Sequence, residues 1–316
     1  MGNRKRSYLL AGVLFTLLGA ILFSGKAVLA KMIYRESTIP VVSLLALRML
    51  FSLPFYVVMF FYALPKYKRQ IKSSKTRAQP DNKTTLILQT LFVGALGYYV
   101  SSFLDFSGLK FISAGLERII LFSYPTFTVL FAAILFRTKI SRYQIIALFV
   151  SYLGVAIAFA GDIKAGHSTN IFTGSILIFC CAITYALYVL FSGRLIQNMG
   201  VGFFTSVAMM SATVGVLLHF LFSGAAIGSL EHLPFRIYVM IMVMAFFTTV
   251  LPSYLMSAGL KRIGSSNAAI ISAVGPMATI LQAYWVLGES FGWLQMVGTL
   301  LVIAGVLIIG RKVNKE

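Results

Sequence analysis

Acidic residues, cysteines and histidines are scarce in this sequence. Asp and Glu together number 8, against 27 Lys and Arg, and there are 2 Cys and 3 His. The cysteines are neighbours, Cys180 and Cys181, which fits neither a disulfide framework nor the spacing of a metal site. A glycine-rich phosphate loop and a nucleophile elbow are also missing. These absences exclude ATP hydrolysis by this chain and argue against a zinc enzyme, and we expect no cofactor.

Charged residues of either sign are rare, and apolar residues replace them. Charged residues form 11% of the chain and hydrophobic residues 59%, whereas about a quarter of a soluble domain is charged. An apolar run of about 18 residues can cross a bilayer core as a helix. Such runs lie at roughly 8–30, 40–62, 86–106, 114–136, 144–160, 172–191, 203–222, 235–257, 266–287 and 293–310. The sequence therefore predicts an all-α integral membrane protein with ten transmembrane helices, of which the fifth is short.

The positive charges are divided unevenly between alternate loops. A basic cluster at 4–6 precedes the first apolar run, which is too long for a signal peptide and is expected to stay attached. With the N-terminus in the cytoplasm, most Lys and Arg fall in inner loops. The outer exceptions are Lys31, Arg35, Lys110, Lys164 and Arg236. This asymmetry follows the positive-inside rule, so we expect a protein of the inner or plasma membrane with both termini in the cytoplasm.

The net charge of +19 does not indicate nucleic acid. A nucleic-acid partner would need the basic residues gathered on the face of a soluble domain, and here they sit between hydrophobic runs. The densest group lies at 65–84, a segment rich in Lys, Arg, Ser and Thr that we interpret as a cytoplasmic loop. Its charge either sets the topology or contacts anionic lipid headgroups.

A long apolar segment occurs twice in the chain. The GLK at position 108 returns at position 259, and the same offset of 151 pairs Pro125 with Pro276 and Gly154 with Gly305. A weaker match at an offset of 162 relates the first and sixth runs. Each half has an odd number of crossings, five, so the second copy enters the bilayer from the opposite side. We therefore predict two inverted five-helix repeats, 1–160 and 161–316.

Particular residues within these runs resemble a known family. Ser24-Gly25-Lys26 lies in the first run, Arg48 in the second, GLKFISAGLER before Pro125, and Gly288-Glu289 after the ninth run. These features are similar to the EamA transporters of the drug/metabolite transporter superfamily. The resemblance implies two inverted bundles around a central cavity and transport of small metabolites, often amino acids. The first half departs from the pattern at 136–139, where it reads FRTK against LGES in the second half.

Five ionisable residues lie in or near the predicted spans. Lys26 is deep in the first run, where a cation costs about 2.5–3.5 kcal/mol on insertion scales. It either lines a wet cavity and attracts a substrate anion or extends to the interface. Arg48 either contacts substrate or anchors helices. Glu117 and Arg118 open the fourth run, and Glu117 is a candidate partner for Lys26 or Arg48, whether for proton coupling or as a structural ion pair. Asp105 is interpreted as a cap in preference to a proton carrier.

Two prolines and several polar-tipped side chains complete the candidate site. Pro125 and Pro276 each remove a helix hydrogen bond near the middle of a span, which predicts paired bends at the site or simple packing kinks. Side chains with an apolar body and a polar tip suit the wall of a cavity. The candidates of this kind are Tyr98, Tyr99, Tyr124, Tyr185, Tyr188, Gln282 and Trp285.

These features together predict a secondary transporter, most simply an exporter, of a small anionic or zwitterionic metabolite such as an amino acid. The two inverted halves would provide alternating access, with proton coupling through Glu117 or Lys26 left open. The alternatives are an uncoupled facilitator or channel, a membrane-embedded enzyme that acts on lipid, and a non-transporting receptor. An enzyme is disfavoured because the acidic and His residues within the membrane are too few. The expected partners are a small-molecule substrate, protons and membrane lipid.

Overall fold

The computed structural model describes residues 2–73, 83–136, 142–165, 169–224, 233–272, 274–290 and 292–313. These residues form helices and turns, without a β-strand among them. The α-helices are α1 Gly2–Glu36, α2 Val41–Ser73, α3 Lys83–Gly94, α4 Ser101–Gly108, α5 Ala114–Leu121, α6 Tyr124–Phe136, α7 Arg142–Ala165, α8 Ile171–Met199, α9 Val201–Phe222, α10 Phe235–Ala245, α11 Leu251–Ile271, α12 Val274–Gln282 and α13 Trp293–Val313. The first-half turn from Arg137 to Lys139 lies outside the described residues.

The predicted all-α membrane protein is confirmed. Within the described residues, seven helices are long and apolar enough to cross a bilayer, and shorter apolar helices occupy Phe149–Gly161, Val274–Leu287 and Trp293–Gly305. The shorter helices fall in the fifth, ninth and tenth predicted runs. The number of ten crossings and their inverted arrangement stay predictions.

The second helix is longer than its apolar run predicts. It continues through Pro65 to Ser73, into the segment at 65–84 that the sequence analysis interpreted as a loop. Lys, Arg and Gln are good helix formers, so the basic residues after the apolar run extend the helix. Residues 74–82 of that segment lie outside the described residues.

Both prolines that pair at the 151 offset lie beside an interruption of a helix. The fourth run is divided between Leu121 and Tyr124, and the ninth between Ile271 and Val274. Pro125 is the second residue of α6 and Pro276 the third residue of α12, positions where a missing N–H costs no helix hydrogen bond. The predicted bends are therefore full breaks of the helix, each followed by a proline in the new first turn.

Two further irregularities also recur at the offset of 151. Ala95–Val100 and Phe246–Val250 are π-helical turns inserted between α3 and α4 and between α10 and α11. A π turn shifts the side chains that follow it around the helix axis and is frequent at functional sites. A third π turn, Ala283–Leu287, extends α12 and has an α-helical counterpart in the first half. The chain therefore repeats a backbone defect as well as its prolines.

The helix contacts between the two halves are reciprocal. Helix α1 of the first half packs against α11 and α12 of the second half, and α8 of the second half packs against α4 and α6 of the first half. The two offsets relate α1 to α8, α4 to α11 and α6 to α12, so each contact has a counterpart. The pairs α2 with α9 and α7 with α13 join equivalent helices directly. The bundle thus has approximate two-fold symmetry in its contacts.

Helices α7 and α13 meet through glycines and cross antiparallel. A Cβ atom on Gly298 would lie 2.5 Å from the carbonyl oxygen of Gly154, and one on Gly154 would lie 2.6 Å from that of Gly298. Further along, Gly161 approaches Leu294 and Gln295. Small residues allow membrane helices to approach closely, which maximises van der Waals contact where lipid offers no hydrophobic driving force.

We expect Gly298→Ala to destabilise the protein by about 1–3 kcal/mol, because the added methyl group meets backbone atoms that cannot rotate away. The thermal unfolding midpoint in detergent measures the effect. Gly193→Ala is the matched control, since no atom lies within 4 Å of the added Cβ and alanine favours a helix over glycine. Equal unfolding midpoints for the two variants would contradict a close α7–α13 contact.

Candidate functional site

A cavity between the two halves of the chain is lined mainly by aromatic and small residues. Charged side chains on its wall are Lys26, Arg48, Asp105 and Arg118. The remaining lining residues are Ala20, Phe23, Gly97, Tyr98, Ser101, Ser102, Leu121, Phe122, Tyr124, Cys181, Tyr185, Thr249, Met256, Ser272 and Gly275. An apolar wall with a few convergent polar groups is the usual composition of a small-molecule site.

The cavity wall is built from equivalent positions of the two halves. The offset of 151 relates Tyr98 to Thr249 and Asp105 to Met256, and the offset of 162 relates Phe23 to Tyr185. All of these residues line the cavity. Tyr98 and Thr249 belong to the paired π turns, so the repeated backbone defects carry side chains of the wall. The charged residues of the wall break the symmetry, because they lie in the first half alone.

Lys26 pairs with Asp105 across the cavity wall. The Lys26 Nζ lies 2.5 Å from Asp105 Oδ2, and both side chains are buried. The Nζ also lies 4.8 Å from the centre of the Phe23 ring, a cation–π contact. Lys26 therefore does not extend to the interface. The interpretation of Asp105 as a cap is wrong, since its carboxylate compensates a buried cation, a demand that sequence spacing does not reveal.

Arg48 is a buried cation that forms no ion pair with an acidic group of the described residues. Its side chain is 2% exposed, and its guanidinium lies 4.7 Å from the centre of the Phe106 ring. Within the described residues, neither Nε nor Nη2 has a hydrogen-bond partner. Because buried guanidinium N–H groups are normally satisfied, these two donors are available to a group that enters the cavity.

Glu117 and Arg118 point in different directions, as their neighbouring positions on α5 require. Arg118 Nε donates to Thr279 Oγ1 at 3.0 Å, and Arg118 lines the cavity. Glu117 is fully buried behind the wall, next to the carboxyl group of Asp105. Its charged neighbours are Asp105, Arg118 and Lys26. Glu117 thus joins the cluster without forming the predicted ion pair with Lys26 or Arg48.

Four of the predicted tyrosines form one layer at the edge of the cavity. The hydroxyl groups of Tyr98 and Tyr188 are 2.9 Å apart. The ring of Tyr185 lies 4.9 Å from Tyr124 and 5.6 Å from Tyr188, measured between centroids. A second, smaller cavity beyond them is lined by the same four tyrosines and by Met256. The tyrosine layer therefore separates two cavities.

Three other predicted residues do not lie on the cavity wall. Trp285 is 78% exposed on the outside of the bundle, where an amphipathic aromatic ring suits a bilayer interface as well as a cavity. The Tyr99 hydroxyl bonds His219 Nδ1 at 3.1 Å, away from the wall. Gln282 turns toward α1, with Nε2 3.5 Å from the carbonyl oxygen of Ile21. A side chain with an apolar body and a polar tip suits the cavity wall, the bilayer interface and the space between helices equally well, so residue type alone did not predict where these three side chains lie.

The aromatic rings that hold the cations were missing from the sequence-based candidates. Phe106 lies beside Arg48 and Lys26, and Phe23 lies beside Lys26 and Arg118. Both are among 27 Phe residues, most of which pack between helices or face outward. These two rings could be singled out only from their positions relative to Asp105 and Arg48, and no local sequence motif indicates those positions.

The Gly288-Glu289 turn of the second half caps a broken helix of the first half. Gly288 has φ 65°, a backbone conformation that glycine adopts without strain. Glu289 is buried, and its Oε1 and Oε2 accept from the backbone N–H of Ala114 at 3.4 and 3.2 Å. Ala114 is the first residue of α5, whose free N–H groups and dipole favour a carboxylate. The motif therefore holds the helix that carries Glu117 and Arg118.

We expect Glu289→Ala to lower stability by about 1–2 kcal/mol, because the N-terminus of α5 loses a buried anionic cap. Thermal unfolding in detergent provides the measurement. Glu36→Ala is the control: it removes a glutamate that pairs with Arg236 at 3.2 Å on the exposed surface, and such pairs contribute little. A larger loss in Glu36→Ala than in Glu289→Ala would contradict the capping role.

Known proteins resemble this chain over nearly its whole length. The profile of the EamA-like transporter family matches residues 10–160 and 172–311. The uncharacterized transporter YcbK of Bacillus subtilis is 31% identical over 291 residues, 91% of this chain and 89% of that protein. The probable amino-acid metabolite efflux pump of Salmonella typhimurium is 24% identical over 239 residues, 73% of this chain and 78% of that protein.

A solved structure supports the fold without adding to the function. A crystal structure aligns with a TM-score of 0.61 at 16% identity, over 96% of this chain and 98% of that chain. The family profile covers both halves of the chain, and the helices carry the motifs on which the resemblance rested. The protein belongs to the EamA-like transporter family.

Proposed function

We propose that the protein is a secondary transporter that exports a small anionic or zwitterionic metabolite, an amino acid or a related compound. The observation that carries this proposal is Arg48, a buried guanidinium on the cavity wall with two N–H donors that have no partner within the described residues. A carboxylate matches the geometry of these donors.

The charge balance of the cavity wall also favours an anion. Lys26 and Asp105 compensate each other, and Arg48 and Arg118 remain as cations on the same wall. A buried site with an excess of positive charge attracts negative charge strongly, because the surroundings screen it poorly. The probable amino-acid metabolite efflux pump of Salmonella typhimurium is a relative, and amino acids carry the required carboxylate.

Movement of the substrate rests on two inverted repeats, 1–160 and 161–316, that expose the cavity to each side in turn. The paired helix breaks, the paired π turns and the repeated helix contacts support a duplicated unit. The antiparallel crossing of the equivalent helices α7 and α13 supports its inversion. The tyrosine layer between the two cavities is the barrier that opens when one half rocks against the other.

The excess of basic residues in alternate loops supports a location in the cell membrane with both termini in the cytoplasm. In this arrangement the partners are the transported metabolite, protons and the surrounding lipid, and nucleic acid has no role. In this proposal transport is the whole activity of the protein.

Uptake into liposomes that contain the purified protein tests the proposal. Amino acids and related carboxylates are screened for flux, with their neutral amides as the matched comparison. We expect the carboxylates to be transported and the amides to be excluded, since an amide leaves Arg48 uncompensated. Flux of amides and carboxylates at equal rates, or of none of the compounds, would contradict the proposed substrate class.

Glu117 provides the test of proton coupling. It is a buried carboxyl group next to Asp105 and has no ion-pair partner within the described residues, so it is the group best placed to exchange a proton during a cycle. We expect Glu117→Gln to abolish accumulation driven by a pH gradient and to retain exchange of substrate for substrate. If the wild-type protein equilibrates substrate and ignores the gradient, it is an uncoupled facilitator.

A further inference from the structure

A separate, wider cavity lies at the basic end of the bundle. It is bounded by the start of α1, the end of α2, the turn between α8 and α9, and the middle of α11 just before its kink at Gly264. None of its described lining residues is acidic, whereas Lys66, Lys261 and Arg262 are cations. Three cations without a lining carboxylate repel one another, so this cavity favours an anion.

The N-terminus of α9 opens into the same cavity. This helix has 22 residues and begins at Val201. The residue before it, Gly200, has a φ of 80°, a left-handed backbone conformation that glycine adopts without strain. Gly200 is the N-cap, and it has no side chain that could accept from the first N–H groups of the helix. The first N–H groups of a helix and the positive end of its dipole bind anions, phosphate above all. Gly200 and Val201 both line the cavity.

Two buried donors on the cavity lining lack partners within the described residues. The Tyr67 side chain is 6% exposed and its ring stacks on Phe203 with centroids 4.0 Å apart, yet its hydroxyl bonds no described group. The Arg262 guanidinium donates from Nη1 to the carbonyl oxygen of Ala258 at 3.0 Å, and its Nε is buried without a partner. Because buried donors are normally hydrogen-bonded, these two donors, beside cations and a helix N-terminus, indicate that a hydrogen-bond acceptor with negative charge binds here.

We propose that this cavity is a binding site for a phosphate group, held by Lys261, Arg262, the Tyr67 hydroxyl and the N-terminus of α9. The group comes from an anionic lipid headgroup or from a free phosphate compound. A lipid source fits the outer surface near the cavity, where Phe61 and Tyr62 on α2 are largely exposed and leave room for acyl chains. The site is distinct from the central cavity and does not depend on the proposed transport activity.

Thermal unfolding of the purified, delipidated full chain tests the site in two arms. In detergent, the midpoint is followed while sodium phosphate is titrated at constant ionic strength. In nanodiscs, the midpoint in phosphatidylcholine alone is compared with that in phosphatidylcholine containing phosphatidylglycerol. A ligand that binds the folded state raises the midpoint by mass action. Stabilisation by phosphate identifies a free phosphate group as sufficient, and stabilisation by phosphatidylglycerol alone identifies the lipid headgroup.

Three variants separate this site from general surface charge. Lys261→Gln is expected to weaken the dependence on the stabilising ligand about tenfold, since it removes a charged hydrogen bond. Tyr67→Phe keeps the stacked ring and removes the unpartnered hydroxyl alone, so it is expected to weaken the response by a smaller factor and to fold normally. Lys68→Gln is the control, because Lys68 adjoins Tyr67 and is exposed outside the cavity. The proposal is overturned if neither ligand stabilises the wild-type protein or if all three variants respond alike.

Discussion

Replacement of Arg48 by glutamine is expected to abolish substrate binding while leaving the fold intact. The wild-type guanidinium has two buried donors without a partner within the described residues, so an empty cavity loses no hydrogen bond there when the charge is removed. With a carboxylate bound, the same change removes a buried charge pair and weakens binding by about 2–5 kcal/mol, or about 30-fold or more. Transport in liposomes and unfolding in detergent measure the two effects separately.

Two further variants are the controls for Arg48→Gln: Arg48→Lys tests the geometry of the donors, and Arg236→Gln tests the loss of a surface charge. Lysine keeps the charge and loses the planar pair of donors, so we expect intermediate affinity. Arg236 is a cation on the exposed surface, paired with Glu36, and its replacement is expected to leave transport unchanged. If Arg48→Gln unfolds readily and transports with normal affinity, Arg48 anchors the helices and contacts no substrate.

Asp105→Asn is expected to have the largest effect on stability, a loss of about 3–5 kcal/mol, because it leaves Lys26 buried without its counter-charge. The Lys26–Asp105 pair is almost completely buried, so water cannot take over this compensation. A double variant, Lys26→Met with Asp105→Leu, removes both charges and is expected to recover most of the stability. Unfolding of the wild type, Lys26→Met, Asp105→Leu and the double variant forms the thermodynamic cycle, and Asp105→Asn is the isosteric comparison.

Transport by the same set of variants tests whether the pair has a role beyond stability. The double variant is expected to fold and to remain inactive, since the apolar pair leaves the net charge of the wall unchanged but removes two charged groups whose local field acts on Arg48 and Arg118. Wild-type stability in Asp105→Asn would show that Glu117, the other carboxyl group of the cluster, compensates Lys26. Normal transport by the double variant would confine Lys26 and Asp105 to a structural role.

The irregular segments illustrate how far the sequence predicts the backbone. Pro125 and Pro276 marked the two breaks because proline acts on its own turn of helix. The paired π turns around Tyr98 and Thr249 carry no such marker, since their residue types also suit a regular helix. The extension of α2 beyond Pro65 was missed for a related reason: apolar content indicates where a helix can lie in lipid and not where it ends in water.

The amino-acid sequence by itself determined the class of the protein, the positions of its apolar segments, the recurrence of residues at the offset of 151 and the family it belongs to. Each of these depends on composition, on spacing along the chain or on local motifs. Only the tertiary structure decided that Lys26 meets Asp105, that Arg48 forms no ion pair with an acidic group of the described residues and that Trp285 faces outward. Partner choice depends on the rotation and close packing of helices distant in sequence, and half a turn of a helix, about two residues, separates a side chain on the cavity wall from one on the outer surface.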